Sequence, residues 1–413
     1  MMGLHIPPAL KNRRFSLFWG GLLLSVSGSR MQFWGLLWHI RTLSDQPIAL
    51  GAIGLARIVP IVVFSLIGGV VADTRNRRRI LFVTQGSAML VALTLGWLTG
   101  HGMISLAAIY TLSAIEGASF AFDIPARQAL VPNIVPARDL SNAFSLQSMA
   151  FATGSIIGPA LSGLVIGYLG QMQVYYINAI SYLAMFVALI LMGPVAPSDE
   201  AHLPMRVGPQ AVREGVRFIL GQPIILSSML LDFFATFFAS ANALLPIFAR
   251  DVLHVGEIGY GWLSAAQSVG AALAGVVLSQ IDRLRRQGAL LLLSVMAFGA
   301  ATMIFGFSHA YWLSFLALMG IGAADEVSTV IRNTIRQLQT PDKLRGRMVS
   351  INQIFFVGGP QLGELEAGTA AQLLGPVAAV VSGGLGCILA VGWIARRWPA
   401  LRNYDFDDAE NVD

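Results

Sequence analysis

Twelve apolar runs of about 20 residues recur along this 413-residue chain, and each is long enough to cross a ~30 Å hydrocarbon layer as a helix. A backbone inside lipid must satisfy its own hydrogen bonds, which leaves helices or closed barrels, and runs of this length are helical. The runs fall near 16–40, 48–72, 80–99, 104–122, 143–168 and 174–193. A second set falls near 224–248, 258–280, 289–307, 311–331, 348–372 and 377–395. Only 12% of residues are charged and 55% are hydrophobic, about half the charge of a soluble chain. A soluble enzyme, a nucleic-acid-binding module and a disordered chain are excluded. The single cysteine, Cys387, leaves no disulfide framework, iron–sulfur cluster or thiolate zinc site. Met1 to Pro8 carries no cleavable-signal arrangement, so the first run is expected to be retained as a span.

Basic residues occur in short groups between the runs, as topology signals do. With both termini on one side, 23 Lys and Arg fall on that side and two, Arg41 and Arg250, on the other. Such a split predicts cytoplasmic termini and an even number of spans, twelve. The longest polar interruption divides the spans six and six. The expectation is therefore an all-α membrane protein with a six-helix bundle over 1–195. A cytoplasmic linker with a short interfacial helix follows over 196–222, then a second six-helix bundle and cytoplasmic tail over 223–413.

The halves repeat one another. A shift of 205 residues lays Arg127 on Arg332, Pro136 on Pro341 and Ser145 on Ser350. The same shift lays Gly154, Gly158, Gly163 and Gly170 on Gly359, Gly363, Gly368 and Gly375. Two parallel repeats related by an axis along the membrane normal are a transporter plan with a midplane site.

The segment Gly69-Val70-Val71-Ala72-Asp73-Thr74-Arg75-Asn76-Arg77-Arg78-Arg79 resembles the signature loop of the major facilitator superfamily. Thr74 and Asn76 stand where that family has a basic residue and a glycine, and Asn tolerates the left-handed turn a glycine would supply. The resemblance implies the major facilitator fold, two pseudo-symmetric six-helix halves. It also implies a cytoplasmic latch of Gly69, Asp73 and Arg77, with Asp73 facing the start of the eleventh span. In span 5, Gly154, Gly158, Pro159 and Gly163 resemble the kinking and packing motif of the superfamily's drug:proton antiporters. A small-residue packing face is the alternative for these four. Leu231-Asp232, Leu245-Pro246, Thr340-Pro341-Asp342 and Gly363-Glu364 resemble a drug- and siderophore-exporting branch, the transmembrane secretion effectors.

Ionisable residues inside spans are expensive and mark function by default. Here they are Arg30, Arg57, Glu116, Asp232, Asp325, Glu326, Glu364 and Glu366. Spans 1, 4, 7 and 10, which line the central cavity in the superfamily, each carry at least one. Arg30, Glu116, Asp232, Asp325 and Glu364 are the candidates for substrate binding or proton coupling, and interhelical ion pairing is the alternative. No basic residue lies within a turn of Asp232 on its own span, so its charge must be met by a proton, a substrate or another helix. On that reading Asp232→Asn abolishes coupled transport and leaves the protein level nearly unchanged. Six scattered histidines suggest no metal site, no cofactor is expected, and no phosphate-binding glycine–lysine loop is present.

The reading that follows is a monomeric secondary transporter in a bacterial cytoplasmic membrane. It would export amphipathic small molecules, drugs or siderophore-like metabolites, with protons as the coupling ion and the lipid bilayer as its surroundings. It is not an enzyme and has no nucleic-acid partner. A lipid or lysolipid translocator is the alternative; a receptor or scaffold leaves the midplane charges without a purpose. For the latch, Asp73→Asn on a Cys387→Ser background should shift cysteine-accessibility labelling toward an inward-open state. Unchanged labelling on both faces would remove that role.

Overall fold

The computed structural model describes residues 7–195, 209–240, 242–281 and 284–405, and among these residues no strand occurs. The first half runs α1 (Arg13–Leu43), α2 (Pro47–Thr74), α3 (Arg77–Gly100), α4 (Leu106–Ile134), α5 (Leu140–Leu169) and α6 (Gln171–Leu191). A short helix α7 (Pro209–Gly221) precedes α8 (Pro223–Phe238), and a broken stretch then holds a single turn, α9 (Leu245–Ile247). The chain continues as α10 (Gly256–Leu278), α11 (Gln287–Phe307), α12 (Tyr311–Leu338), α13 (Asp342–Leu374), α14 (Pro376–Arg397) and α15 (Pro399–Arg402). Among the described residues nine helices are long and apolar enough to cross a membrane. Helices α1, α4 and α13 are long but interrupted by polar and charged side chains. Twelve spans is the reading of the apolar runs; helix length and composition support nine.

Several boundaries differ from the apolar runs, and two helices run on past charges. The fourth span, expected to end near 122, continues as α4 to Ile134 and takes in Asp123 and Arg127. The tenth, expected to end near 331, continues as α12 to Leu338 and takes in Arg332 and Arg336. Counted as loop residues in the charge tally, these three arginines are buried within helices. The seventh run, in contrast, breaks: α8 stops at Phe238, and a 3-10 turn, α9 and a π-turn carry the chain to Val252.

Contacts divide the chain into two compact units. One holds Met1–Leu43, Leu55–Pro204 and Gly256–Ala265, and the other Ser44–Gly54, Met205–Val255 and Ala266–Asp413, as far as these are described. In the first unit α1 packs on α5 and α6, and α3 packs on α4 and α6. The second unit repeats the scheme, with α8 on α13 and α14 and α11 on α12 and α14. The sequence repeat is thus a repeat of packing. Gly170 ends α5 at φ +96 and Gly375 ends α13 at φ +87, a conformation that glycine alone adopts at little cost. These two caps are repeat mates.

Asn76 does not stand in for a turn glycine. Its φ is −63, and its side chain accepts a hydrogen bond from the Arg79 amide, capping α3 instead. Short polar side chains do this readily at a helix start.

Close approach of helices is set by glycine. A Cβ on Gly322 of α12 would run into the carbonyl oxygen of Gln267 on α10. Its repeat mate, Gly117 of α4, would place a Cβ 2.7 Å from the carbonyl oxygen of Arg57 on α2. Gly322→Ala should therefore cost about 1–3 kcal/mol, the range for overpacking a filled contact. Gly320→Ala, whose nearest neighbour would be Ala301 Cβ at 3.6 Å, should be neutral. Thermal unfolding in detergent reads both, and equal midpoints would refute the steric account.

Candidate functional site

In the second unit, α8 presents Asp232 toward α12. Arg332 and Arg336 of α12 are four residues apart, so their side chains share one helix face. Arg332 Nη2 lies 3.1 Å from Asp232 Oδ1, and Arg336 Nη2 lies 3.6 Å from Oδ2. All three side chains are buried. Arg336 is anchored on several sides: its Nε donates to Ser228 Oγ at 3.0 Å and its Nη2 to the Ser228 carbonyl at 2.8 Å. Its Nη1 donates to Asn352 Oδ1 on α13 at 2.5 Å. Arg332 is held differently. Besides Asp232 and Thr329 Oγ1 at 2.8 Å, it reaches Asp325 Oδ1 at 3.7 Å, two turns back along its own helix. The Asp325 side chain is 48% exposed while that of Asp232 is 3% exposed. Two arginines and two aspartates sum to zero formal charge, the form in which a buried cluster is tolerable. One arginine is fixed, and the other is divided between a sealed carboxylate and an open one.

The first unit carries its own buried pair. Arg127 and Asp123 of α4 form an ion pair one turn apart. On α3, Thr84 Oγ1 and Gln85 Nε2 donate to Asp123 Oδ1 at 3.0 and 2.7 Å. Ser25 Oγ of α1 donates to Gln85 Oε1 at 3.0 Å. Arg127 and Arg332 are repeat mates, so each half places its arginine alike. The buried acid differs: Asp123 comes from the same helix as Arg127, whereas Asp232 comes from a neighbouring helix.

The remaining candidates are scattered. Glu116 of α4 has Gln32 of α1, Arg57 of α2 and Tyr182 of α6 as electrostatic neighbours. The Arg57 guanidinium sits 4.7 Å above the Phe33 ring. Arg30 is exposed, its Cβ set against Gly158 of α5. Glu364 of α13 is buried against Gly51 and Gly54 of α2, within the second unit. Gly154 and Gly158 bring α5 onto α1, while Gly163, beside Pro159, meets Gly261 of α10. Gly69 and Asp73 fall in the last turns of α2, and Arg77 opens α3. The Asp73 side chain lies outside the described residues, as do those of 342, 343 and 345–347 at the start of α13.

Of the five coupling candidates the structure brings together Asp232 and Asp325, and adds Arg332 and Arg336. The sequence reading missed Asp123, Arg127, Arg332 and Arg336 as site residues because each lies past the end of an apolar run. A signal was present: both Asp123–Arg127 and Arg332–Arg336 have the i, i+4 spacing of helix neighbours.

The arginines also change what is expected of Asp232. Removing one partner of a buried pair costs about 3–5 kcal/mol, because the other charge stays behind. Asp232→Asn should lower protein level and melting temperature, contrary to the expectation from sequence. Arg332→Gln should do likewise, and the double variant Asp232→Asn/Arg332→Gln should regain part of the loss. Purely additive losses in melting would show that the two residues do not act as a pair.

A family model described as transmembrane secretion effector matches residues 7–413. A relative named enterobactin exporter EntS, from Shigella boydii serotype 18 (strain CDC 3083-94 / BS512), is 26% identical over 327 residues, covering 78% of this chain and 77% of the relative. The protein of the same name from Escherichia coli O81 (strain ED1a) is 26% identical over 326 residues, with the same coverage. Among solved structures, a bacterial homolog of the human lysosomal transporter Spinster aligns with a TM-score of 0.75 at 14% identity, over 95% of this chain and 98% of that one. A D-xylose-proton symporter aligns with a TM-score of 0.71 at 14% identity, over 96% and 100%. At such identities the structural likeness establishes the fold alone. Matched along nearly its whole length by one family model, and folded as major facilitator transporters fold, the chain belongs to the transmembrane secretion effector family of that superfamily.

Proposed function

We propose that this transporter is a proton-coupled exporter of amphipathic small molecules, drug-like or siderophore-like, working by alternating access. Its setting on this reading is a bacterial cytoplasmic membrane, with both termini in the cytoplasm and a monomer as the working unit. The exporter direction is supported by the named activity of the enterobactin exporters, to which the chain is 26% identical over 327 residues. Coupling is supported by one observation above the others: Arg332 is shared between buried Asp232 and half-exposed Asp325.

The chemistry follows from charge balance. Asp325 is the half-exposed carboxylate of the cluster, so on this reading it is the one that exchanges a proton. When Asp325 takes a proton, Arg332 loses one of its two acceptors and its charge rests on Asp232 alone. When the proton leaves, the arginine is again divided. On this reading a substrate bound near Asp325 competes with the proton for that electrostatic environment, which links the two fluxes. Glu116 beside Arg57, Arg30 and Glu364 remain second-rank coupling or substrate candidates, and Gly69, Asp73 and Arg77 the conformational latch.

In everted membrane vesicles, a transported compound should collapse an imposed proton gradient in the wild type. Asp325→Asn should abolish that proton movement, at least ten-fold below wild type, while its melting temperature stays within a few degrees. Normal proton-linked transport by Asp325→Asn across pH 6–8 would move the coupling role elsewhere. Transport by the wild type that ignores the proton gradient would sink the reading altogether.

A further inference from the structure

Helix α7 is joined to the membrane-spanning α8 by a single residue, Gln222. A connection of one residue holds it at the mouth of that span, at the boundary between water and lipid. One face of α7 is used internally: Ile219 and Phe218 pack with Ile225 and Met229 of α8 and with Met348 of α13. Among the described residues the opposite face is not. Val216 is 40% exposed and Leu220 is 63% exposed, and they are one turn apart. Arg213 and Arg217 are exposed as well, also one turn apart. At 100° per residue the arginine pair and the apolar pair form adjacent stripes whose centres differ by about 60°. Glu214, the other charged residue described on this helix, projects on the far side of the arginine stripe.

We infer that this outer face of α7 is a seat for anionic phospholipid headgroups, with Val216 and Leu220 entering the acyl boundary and Arg213 and Arg217 meeting the phosphates. An apolar stripe beside a basic one is the arrangement of a helix lying in the membrane interface. Arginine stems run along apolar surface while the guanidinium stays at headgroup level, and that head forms paired hydrogen bonds to phosphate. Zwitterionic lipid could cover the apolar pair equally well; the two arginines are what select for negative charge. Each basic side chain close to an anionic surface strengthens association about five-fold. The seat has a reason to matter for the rest of the unit. The cluster that α7 packs into includes Met229, next to Ser228, and Ser228 holds Arg336 of the buried ion cluster.

The inference needs only that the chain lives in a bilayer, and it stands apart from proton coupling and export. The full-length protein, reconstituted in nanodiscs of phosphatidylcholine with about a quarter phosphatidylglycerol, is released and the retained lipid counted by native mass spectrometry. Wild type should retain phosphatidylglycerol in preference to phosphatidylcholine. Arg213→Gln/Arg217→Gln should lower that preference by about ten-fold or more, with an unchanged melting temperature in detergent. Val216→Ser/Leu220→Ser should lower retention of both lipids together. Arg138→Gln removes one charge at another exposed site, 86% accessible, and should leave the preference intact. The inference fails if the double arginine variant keeps the wild-type preference, or if Arg138→Gln reduces it as much.

Discussion

A guanidinium buried away from water must be met by an anion or by a full set of acceptors, and in the second unit both demands converge on α8. Asp232 answers two arginines, and Ser228, one turn earlier, takes two more donors from Arg336. This explains why α12 runs past its apolar stretch to Leu338 rather than stopping at the first charge. It also fixes the register of α8 against α12, since a shift of one residue on either helix would turn the acid away from both bases. Asn352 of α13 completes the arrangement, so three helices are pinned through one arginine.

The two halves solve the same problem unequally. Arg127 and Arg332 occupy equivalent places in the repeat, yet Arg127 takes its carboxylate from its own helix. A pair within one helix survives any sliding between helices, because both members move together. The Asp232–Arg332 pair crosses between α8 and α12, so motion of either helix strains it, and Asp325 stands ready on the same face as a second acceptor. The second unit therefore contains an arginine divided between two carboxylates, whereas among the described residues Arg127 of the first is paired with Asp123.

Around these charges several helices are brought close by backbone contact at glycines. Gly154 and Gly158 seat α5 against α1, and Gly322 seats α12 against α10. In lipid, where apolar side chains gain nothing by leaving the solvent, small residues that let backbones touch supply the packing. The charged clusters and the glycine contacts are thus complementary: the first set register, the second set distance.

Much of this was legible in the residues alone. Apolar runs of about 20 residues dictate a helical membrane chain, because lipid leaves the backbone helices or closed barrels and runs of that length are helical. The 205-residue echo announces the duplicated packing, and Gly170 and Gly375, which recur in it, prove to be the paired helix caps. The resemblance of Gly69 to Arg79 and of the exporter-like segments pointed to the right family. What the sequence could not give is which charges meet. Arg332 and Arg336 sit beyond the end of an apolar run, and Asp232 lies a hundred residues before them. Only the packing of α8 on α12 turns two apparent loop arginines into the buried partners of one acid. Likewise the helix cap at Asn76 and the break after Phe238 depend on local backbone geometry that composition does not encode. Sequence fixes what must be inside the bilayer, because that is a property of each segment; which side chains neutralise one another is a property of pairs, and tertiary structure alone decides it.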